Sequence, residues 1–238
     1  MISKEQLHVI SSWMVAIMQA SIVVPMLVVI WRRKRHFSPA VKLLSNYVYL
    51  SAIFVVAAWI LYPAYLPSNI WFLAGFNFCK IILFWAVYNK VLQSGQTRRV
   101  LDIATVAALV SIIGVYWYDD QLGIAYCRIM QCAVLAAFAM AYMEQTLNGP
   151  PTQRAFHDPL WLVSVGQLVY SAGTVTAFSQ DYLSITIYDK SWKYVMVACA
   201  GLAFNWFLTL AFLRAKQQKV APAPPAPVPS HLATPTLI

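Results

Sequence analysis

Long apolar runs succeed one another along the chain with few charges inside them, and short polar segments separate them. Seven of these runs reach the roughly 20 residues that a helix rising about 1.5 Å per residue needs to cross about 30 Å of hydrocarbon. They cover approximately residues 8–31, 41–61, 70–88, 100–118, 122–143, 160–178 and 192–213. A membrane β-barrel would need strands of about ten residues alternating in polarity, so the unalternating runs predict helices. Pro63, Pro67, the Asp119-Asp120 pair and the Asn148-Gly149-Pro150-Pro151 run mark the clearest breaks. The expected fold is therefore an all-α membrane protein, a seven-transmembrane-helix bundle occupying residues 1–213. Beyond it the chain changes to RAKQQKVAPAPPAPVPSHLATPTLI, which reads as a Pro-rich disordered cytoplasmic tail over residues 214–238. No kinase, nucleotide-binding or DNA-binding domain is expected after it, so any downstream chemistry is assigned to another chain.

Composition agrees with this pattern. The 238 residues are 61% hydrophobic and 11% charged, against about 25% charged in a soluble domain, which excludes a single soluble core. Nine Trp, 13 Tyr and 12 Phe suit the two water-lipid boundaries. The net charge of +9 has a topological explanation, because short cytoplasmic loops retain Lys and Arg. With the N-terminus outside, Arg32, Arg33, Lys34, Arg35, Lys42, Lys90, Arg98, Arg99, Arg154, Arg214, Lys216 and Lys219 lie inside, twelve of the 17 basic residues. Three, Lys4, Lys190 and Lys193, lie outside, and Lys80 and Arg128 fall within helices. The expected topology is N-terminus outside, C-terminus cytoplasmic, with the lipid bilayer and not nucleic acid as the partner of the positive charge. The first run lacks a small-residue cleavage site and its basic cluster follows it, so it reads as a retained helix.

Polar groups buried in lipid are the place to look for function. Lys80 lies about ten residues into the third helix, about 15 Å below its start, and Asn77 shares its face. The ammonium either snorkels toward headgroups or lines an interior site, and the interior reading is preferred. Arg128, Gln131 and Cys132 form a second cluster on the fifth helix, where Asp119 and Asp120 offer a structural ion pair as the alternative to a ligand. The interior acidic residues that proton pumps and cation transporters place at mid-membrane have no counterpart at the depth of Lys80. The two cations therefore favour an anionic or carbonyl-bearing ligand. Lys193 starts the last helix instead of lying within it, which argues against a retinal protein. Cys79, Cys127, Cys132 and Cys199 form no CxxC pair and read as small core residues, so neither a metal site nor a disulfide framework is expected. His157-Asp158 precedes Pro159 as a helix cap would. In the absence of GxSxG, P-loop, HExxH and GxGxxG, no enzyme and no cofactor is expected.

The segment Asp158-Pro159-Leu160-Trp161 through Gly166, Tyr170 and Gly173 resembles a recurring D-P-x-F-W-x-x-x-G-x-L-x-Y-x-x-G segment of uncharacterised Bacteroidetes seven-helix membrane proteins. Trp161-Leu162 departs from its Phe-Trp pair, and Lys80 stands where that family would place an acidic residue. Similar modules serve as membrane input domains of sensor histidine kinases. That likeness implies a bacterial inner-membrane receptor or sensor acting through a separate signalling protein. A second resemblance is to the SWEET sugar transporters, through Pro25, Phe37-Ser38-Pro39, Trp59-Ile60-Leu61-Tyr62, and Phe76-Asn77 set against Phe204-Asn205. It implies two parallel three-helix repeats joined by helix four, and a solute held by an Asn from each of helices three and seven. The candidate ligand residues are thus Asn77, Lys80, Arg128, Gln131 and Asn205.

Overall fold

The computed structural model describes residues 4–32, 37–65, 70–148, 158–182 and 190–215. Among these there is no strand. The helices are α1 (Lys4–Ala20), α2 (Val23–Trp31), α3 (Pro39–Tyr65), α4 (Ile70–Asn89), α5 (Gly95–Tyr118), α6 (Asp120–Leu147), α7 (Pro159–Tyr182) and α8 (Lys190–Arg214). Among the described residues, six spans are long and apolar enough to cross a membrane: Glu5–Trp31, Pro39–Ile60, Gly95–Tyr118, Leu122–Leu147, Pro159–Ser179 and Ser191–Arg214. The remaining long helix, α4, has 20 residues and carries Lys80 at its middle. The Pro-rich tail lies outside the described residues.

The first predicted helix is in fact two. Pro25 has no N–H to give the Ser21 carbonyl, and its ring crowds that oxygen. Ile22 N–H turns to Gln19 O at 3.4 Å and Val24 N–H to Ser21 O at 3.1 Å, so the Met18 carbonyl loses its helical donor. At the other end of the first loop, Pro39 occupies the first helical position, where a missing N–H costs nothing, and Lys42 N–H bonds Ser38 O at 2.8 Å. The break expected at Pro63 falls two residues late, since α3 runs on to Tyr65; a proline in the last turn removes a single donor.

Other ends follow their sequence signals. Ser94 caps α5, its Oγ accepting from Thr97 N–H at 3.3 Å. Asp158 caps α7, accepting from Leu160 N–H at 3.0 Å, and also receives the Tyr142 hydroxyl. His157 lies outside the described residues.

The helices close into a ring. Going round it, α1 and α2 pack on α8, α8 on α7, α7 on α6, α6 on α4, α4 on α3, and α3 on α2. Helix α5 packs on α4 and α6 alone among the more extensive contacts. It turns Leu101, Thr105, Ala108, Ile112 and Tyr116 inward and leaves Val100, Ile103, Val106, Val110 and Ile113 exposed, two stripes at helical spacing. Trp85 Nε1 and Asn89 Nδ2 of α4 hold it by donating to Asp102 Oδ1 at 2.6 and 2.9 Å.

Small residues set the closest approach. A Cβ on Gly166 would meet Phe207 Cβ at 2.6 Å, and one on Gly173 would meet Ala200 Cβ at 2.7 Å, so α7 and α8 lie against each other as small-residue membrane interfaces do. The tightest packing fills one end of the ring, where Leu44, Val48, Tyr88, Leu135, Phe138, Leu208 and Phe212 are fully enclosed. The other end is looser and holds the cavity. Cys127 and Cys132 are core residues as expected, but Cys79 is half-buried and Cys199 is exposed; cysteine is apolar enough to face lipid at no cost.

Candidate functional site

A cavity of about 200 Å³ lies inside the ring, between the α1–α2 break and the midpoint of α4. Lys80, Arg128 and Asn205 line it, together with Met18, Gln19, Tyr47, Phe54, Tyr170 and Phe204. No Asp or Glu is among the described residues of its wall. Two basic side chains and no acidic one thus line the described wall, which an anion would complement.

Lys80 is 2% exposed. Its Nζ lies 4.1 Å from the ring centre of Tyr170, 5.0 Å from Phe204, 5.5 Å from Tyr47 and 5.9 Å from Phe84. The amine thus ends among four rings drawn from α3, α4, α7 and α8, inside the bundle and not at its surface. Aromatic faces carry negative quadrupole density, each such contact giving about 0.5–2 kcal/mol. They surround the amine without offering it an acidic partner. The rings also pack on one another: Tyr47 is 5.1 Å from Phe84, and Tyr170 is 5.7 Å from Phe204.

Arg128 reaches the same cavity from α6, with its guanidinium carbon 5.3 Å from the Phe178 ring centre. Its buried Nε has no hydrogen-bond partner. Of the two acids expected at that boundary, Asp119 accepts from Leu122 N–H at 3.1 Å at the start of α6, and the side chain of Asp120 lies outside the described residues.

Asn205 has a defined local task. Its Nδ2 donates to Ser21 Oγ at 2.7 Å and to the Met18 carbonyl at 3.3 Å, while Ser21 Oγ itself donates to Met18 O at 2.6 Å. The amide from α8 thus satisfies the carbonyl that the Pro25 break set free.

Asn77 and Gln131 are buried at 3% and 1% exposure, but neither is in the cavity wall. Both keep an amide nitrogen without a hydrogen-bond partner. Near Gln131, Gln167 Nε2 donates to Ser171 Oγ at 3.0 Å, which donates to the Cys132 carbonyl at 3.1 Å. The five residues singled out in the sequence therefore divide: Lys80, Arg128 and Asn205 meet at the cavity, while Asn77 and Gln131 are buried outside its wall.

Sequence reasoning missed the cage and the column below it. Phe84 is 6.3 Å from Tyr88, which stacks on Phe138 at 5.6 Å and approaches Tyr142 at 5.9 Å. Tyr88 shares a 2.9 Å hydrogen bond with Ser164, and the Tyr142 hydroxyl donates to Asp158. From Lys80 to the cap of α7 the contacts are unbroken. Among 34 aromatic residues in the sequence, nothing in the local pattern separates these from rings facing lipid, although Lys80, Phe84 and Tyr88 do recur every four residues. The described residues contain no group of three or more His, Cys, Asp or Glu able to hold a metal. Comparison with known protein families, curated proteins and solved structures finds no match for this chain.

Proposed function

We propose that this chain is a multi-pass receptor-like protein of the bacterial inner membrane. In this reading α1 and α2 form one span and the bundle crosses seven times, with its N-terminus outside and its C-terminus in the cytoplasm. A small anionic or carbonyl-bearing ligand binds at Lys80 and Arg128, and occupancy is relayed to a separate cytoplasmic protein. The orientation is supported by the division of basic residues. The relay is supported by one observation above all, the packed column running from the Lys80 cage through Phe84, Tyr88 and Tyr142 to Asp158. Its far end borders residues 149–157, the segment where a partner would dock; that segment lies outside the described residues.

A specific observation favours a second reading, transport of a small polar solute. The ring order places α1–α2, α3 and α4 in one consecutive unit and α6, α7 and α8 in another, each neighbour contact in the first having its counterpart in the second. Parallel repeats with a broken helix beside a central site are a transporter architecture. Proteoliposomes separate the two. The receptor reading expects saturable binding of an organic anion without net uptake, and capture of a distinct protein by cross-linkers at Thr152 or Gln153. Saturable uptake, with lipid alone recovered from those positions, overturns it in favour of transport.

A further inference from the structure

The break in the first span has a consequence for how a ligand reaches Lys80. Before the break α1 packs on α8, and after it α2 packs on both α3 and α8. Helix α1 makes no extensive contact with α3. The cavity wall in that interval consists of Met18 and Gln19 from α1 and Phe54, Val55 and Ala58 from α3, all of them half-buried. Ile17, Val56 and Trp59 on either side are exposed at 50, 56 and 58%. One polar contact bridges the two helices, Trp59 Nε1 donating to Gln19 Oε1 at 2.9 Å, and it is itself exposed. A largely apolar slot, with Gln19 its one polar side chain among these five, thus runs from the outer surface of the bundle, between two helices apolar enough to cross a membrane, to a cavity lined by two basic residues.

The chemistry of the two ends differs. At about 200 Å³ the cavity is smaller than the roughly 300–1,000 Å³ of sites that enclose a whole drug-sized ligand. It has room for a headgroup and the first few carbons. Its inner end offers Lys80 and Arg128, its outer end Phe54, Val55, Ala58 and Phe72. A hydrophilic solute would meet in the outer part a single polar side chain, Gln19, whose Oε1 already accepts from Trp59, and a neutral lipid would gain nothing from the inner. We infer that the site takes a single-chain anionic amphiphile from the bilayer, its head passing between α1 and α3 to Lys80 and Arg128 and its tail remaining in the slot. The inference rests on the reading of the cavity as the ligand site and adds the ligand class and its route. The head is a carboxylate or a phosphate monoester, and the choice belongs to the experiment.

The test uses the full-length protein in phosphatidylcholine vesicles with a C16 carboxylic acid bearing a mid-chain diazirine, the matching C16 alcohol, and the same probe as a lysophosphatidic acid. Photolysis of the unmodified protein needs no variant to fold. Adducts concentrated at residues 17–19 and 54–59, competed by unlabelled acid and at least tenfold weaker with the alcohol, are the expected result. The relative yields of the two anionic probes assign the head. Two variants follow. Lys80→Met should remove the difference between acid and alcohol, and Val56→Phe, on the exposed flank of the slot and outside the cavity wall, should slow labelling by the long-chain acid while leaving binding of radiolabelled butyrate unchanged. Adducts spread evenly over lipid-facing positions, such as the exposed stripe of α5, overturn the route. If butyrate still binds in a Lys80-dependent manner, the cavity reading survives that failure. If no anion of either length binds, the cavity reading falls too.

Discussion

The side-chain amide of Asn205 in α8 donates to the hydroxyl of Ser21, 2.7 Å away and 184 positions earlier in the chain. It joins the last helix to the break in the first at the rim of the cationic cavity. Asn205→Leu removes this bond and the one to the Met18 carbonyl. Membrane hydrogen bonds average about 0.6 kcal/mol and reach about 1.7, so the loss should be about 1–2 kcal/mol, seen as a lower midpoint of thermal unfolding in detergent. A double-mutant cycle with Ser21→Ala should give a coupling of about 0.5 kcal/mol or more. Strict additivity would mean the two residues act separately.

Lys80→Met replaces the caged ammonium by an apolar chain of similar length. Folding should persist, because the four surrounding rings pack on one another, while affinity for organic anions falls by about 2–5 kcal/mol, the usual cost of removing one partner of a buried charged pair. Lys80→Arg should rescue poorly, since the planar guanidinium does not fit the space bounded by Tyr47, Tyr170 and Phe204. Binding measured by tryptophan fluorescence decides this, and undiminished affinity in Lys80→Met would remove Lys80 from the site.

Gly173→Leu forces a side chain into the space occupied by Ala200, and Gly166→Leu into that of Phe207. Each should destabilise the α7–α8 seam by about 1–3 kcal/mol, the usual range for overpacking. Gly114→Leu on α5, where an added Cβ meets nothing within 4 Å, should be nearly neutral. Equal losses at all three positions would show that the seam is not what responds.

Tyr142→Phe deletes the hydroxyl that Asp158 receives at the cap of α7. If the aromatic column relays occupancy, this variant should bind anions normally but show no ligand-dependent change in hydrogen exchange at the start of α7. Asp158→Ala should instead raise exchange there with or without ligand, as losing a cap costs about 1 kcal/mol.

Topology is tested with single cysteines in a cysteine-free background. Impermeant reagents applied to intact cells should label position 119 and leave the loop around residues 33–36 and position 221 protected; the last two fall outside the described residues. Labelling of the first loop with protection of Asp119 would reverse the bundle.

Legibility in the sequence followed the physics of each feature. Helix existence was plain, because hydrocarbon demands long apolar segments with their backbone groups internally satisfied. The cap at Asp158 was plain because it depends on adjacent residues. The Ser21 break was also encoded, in a proline four residues on, but a hydropathy run does not register it because every residue around it is apolar. Asn205 reads as a ligand group in the sequence, since a polar side chain in a helix does not reveal whether it serves a solute or a backbone carbonyl 187 residues away. Gly166, Tyr170 and Gly173 occur at spacings of four and three, and the structure gives each a task on the inner side of α7: Gly166 and Gly173 against α8, Tyr170 over Lys80. The aromatic cage stayed hidden because burial among helices and exposure to lipid favour the same residue types.

Helix α5 stands apart from the ring, which closes through α4 and α6 without it. What it supplies is parity. Antiparallel to both neighbours, it returns the chain to the starting side, so that α6 runs in the same direction as α4. An even number of crossings there would present the guanidinium of Arg128 at the opposite end from the break at Ser21. The exposed stripe of α5 can therefore drift through many apolar sequences, while its mere presence decides which end of the ring receives Arg128.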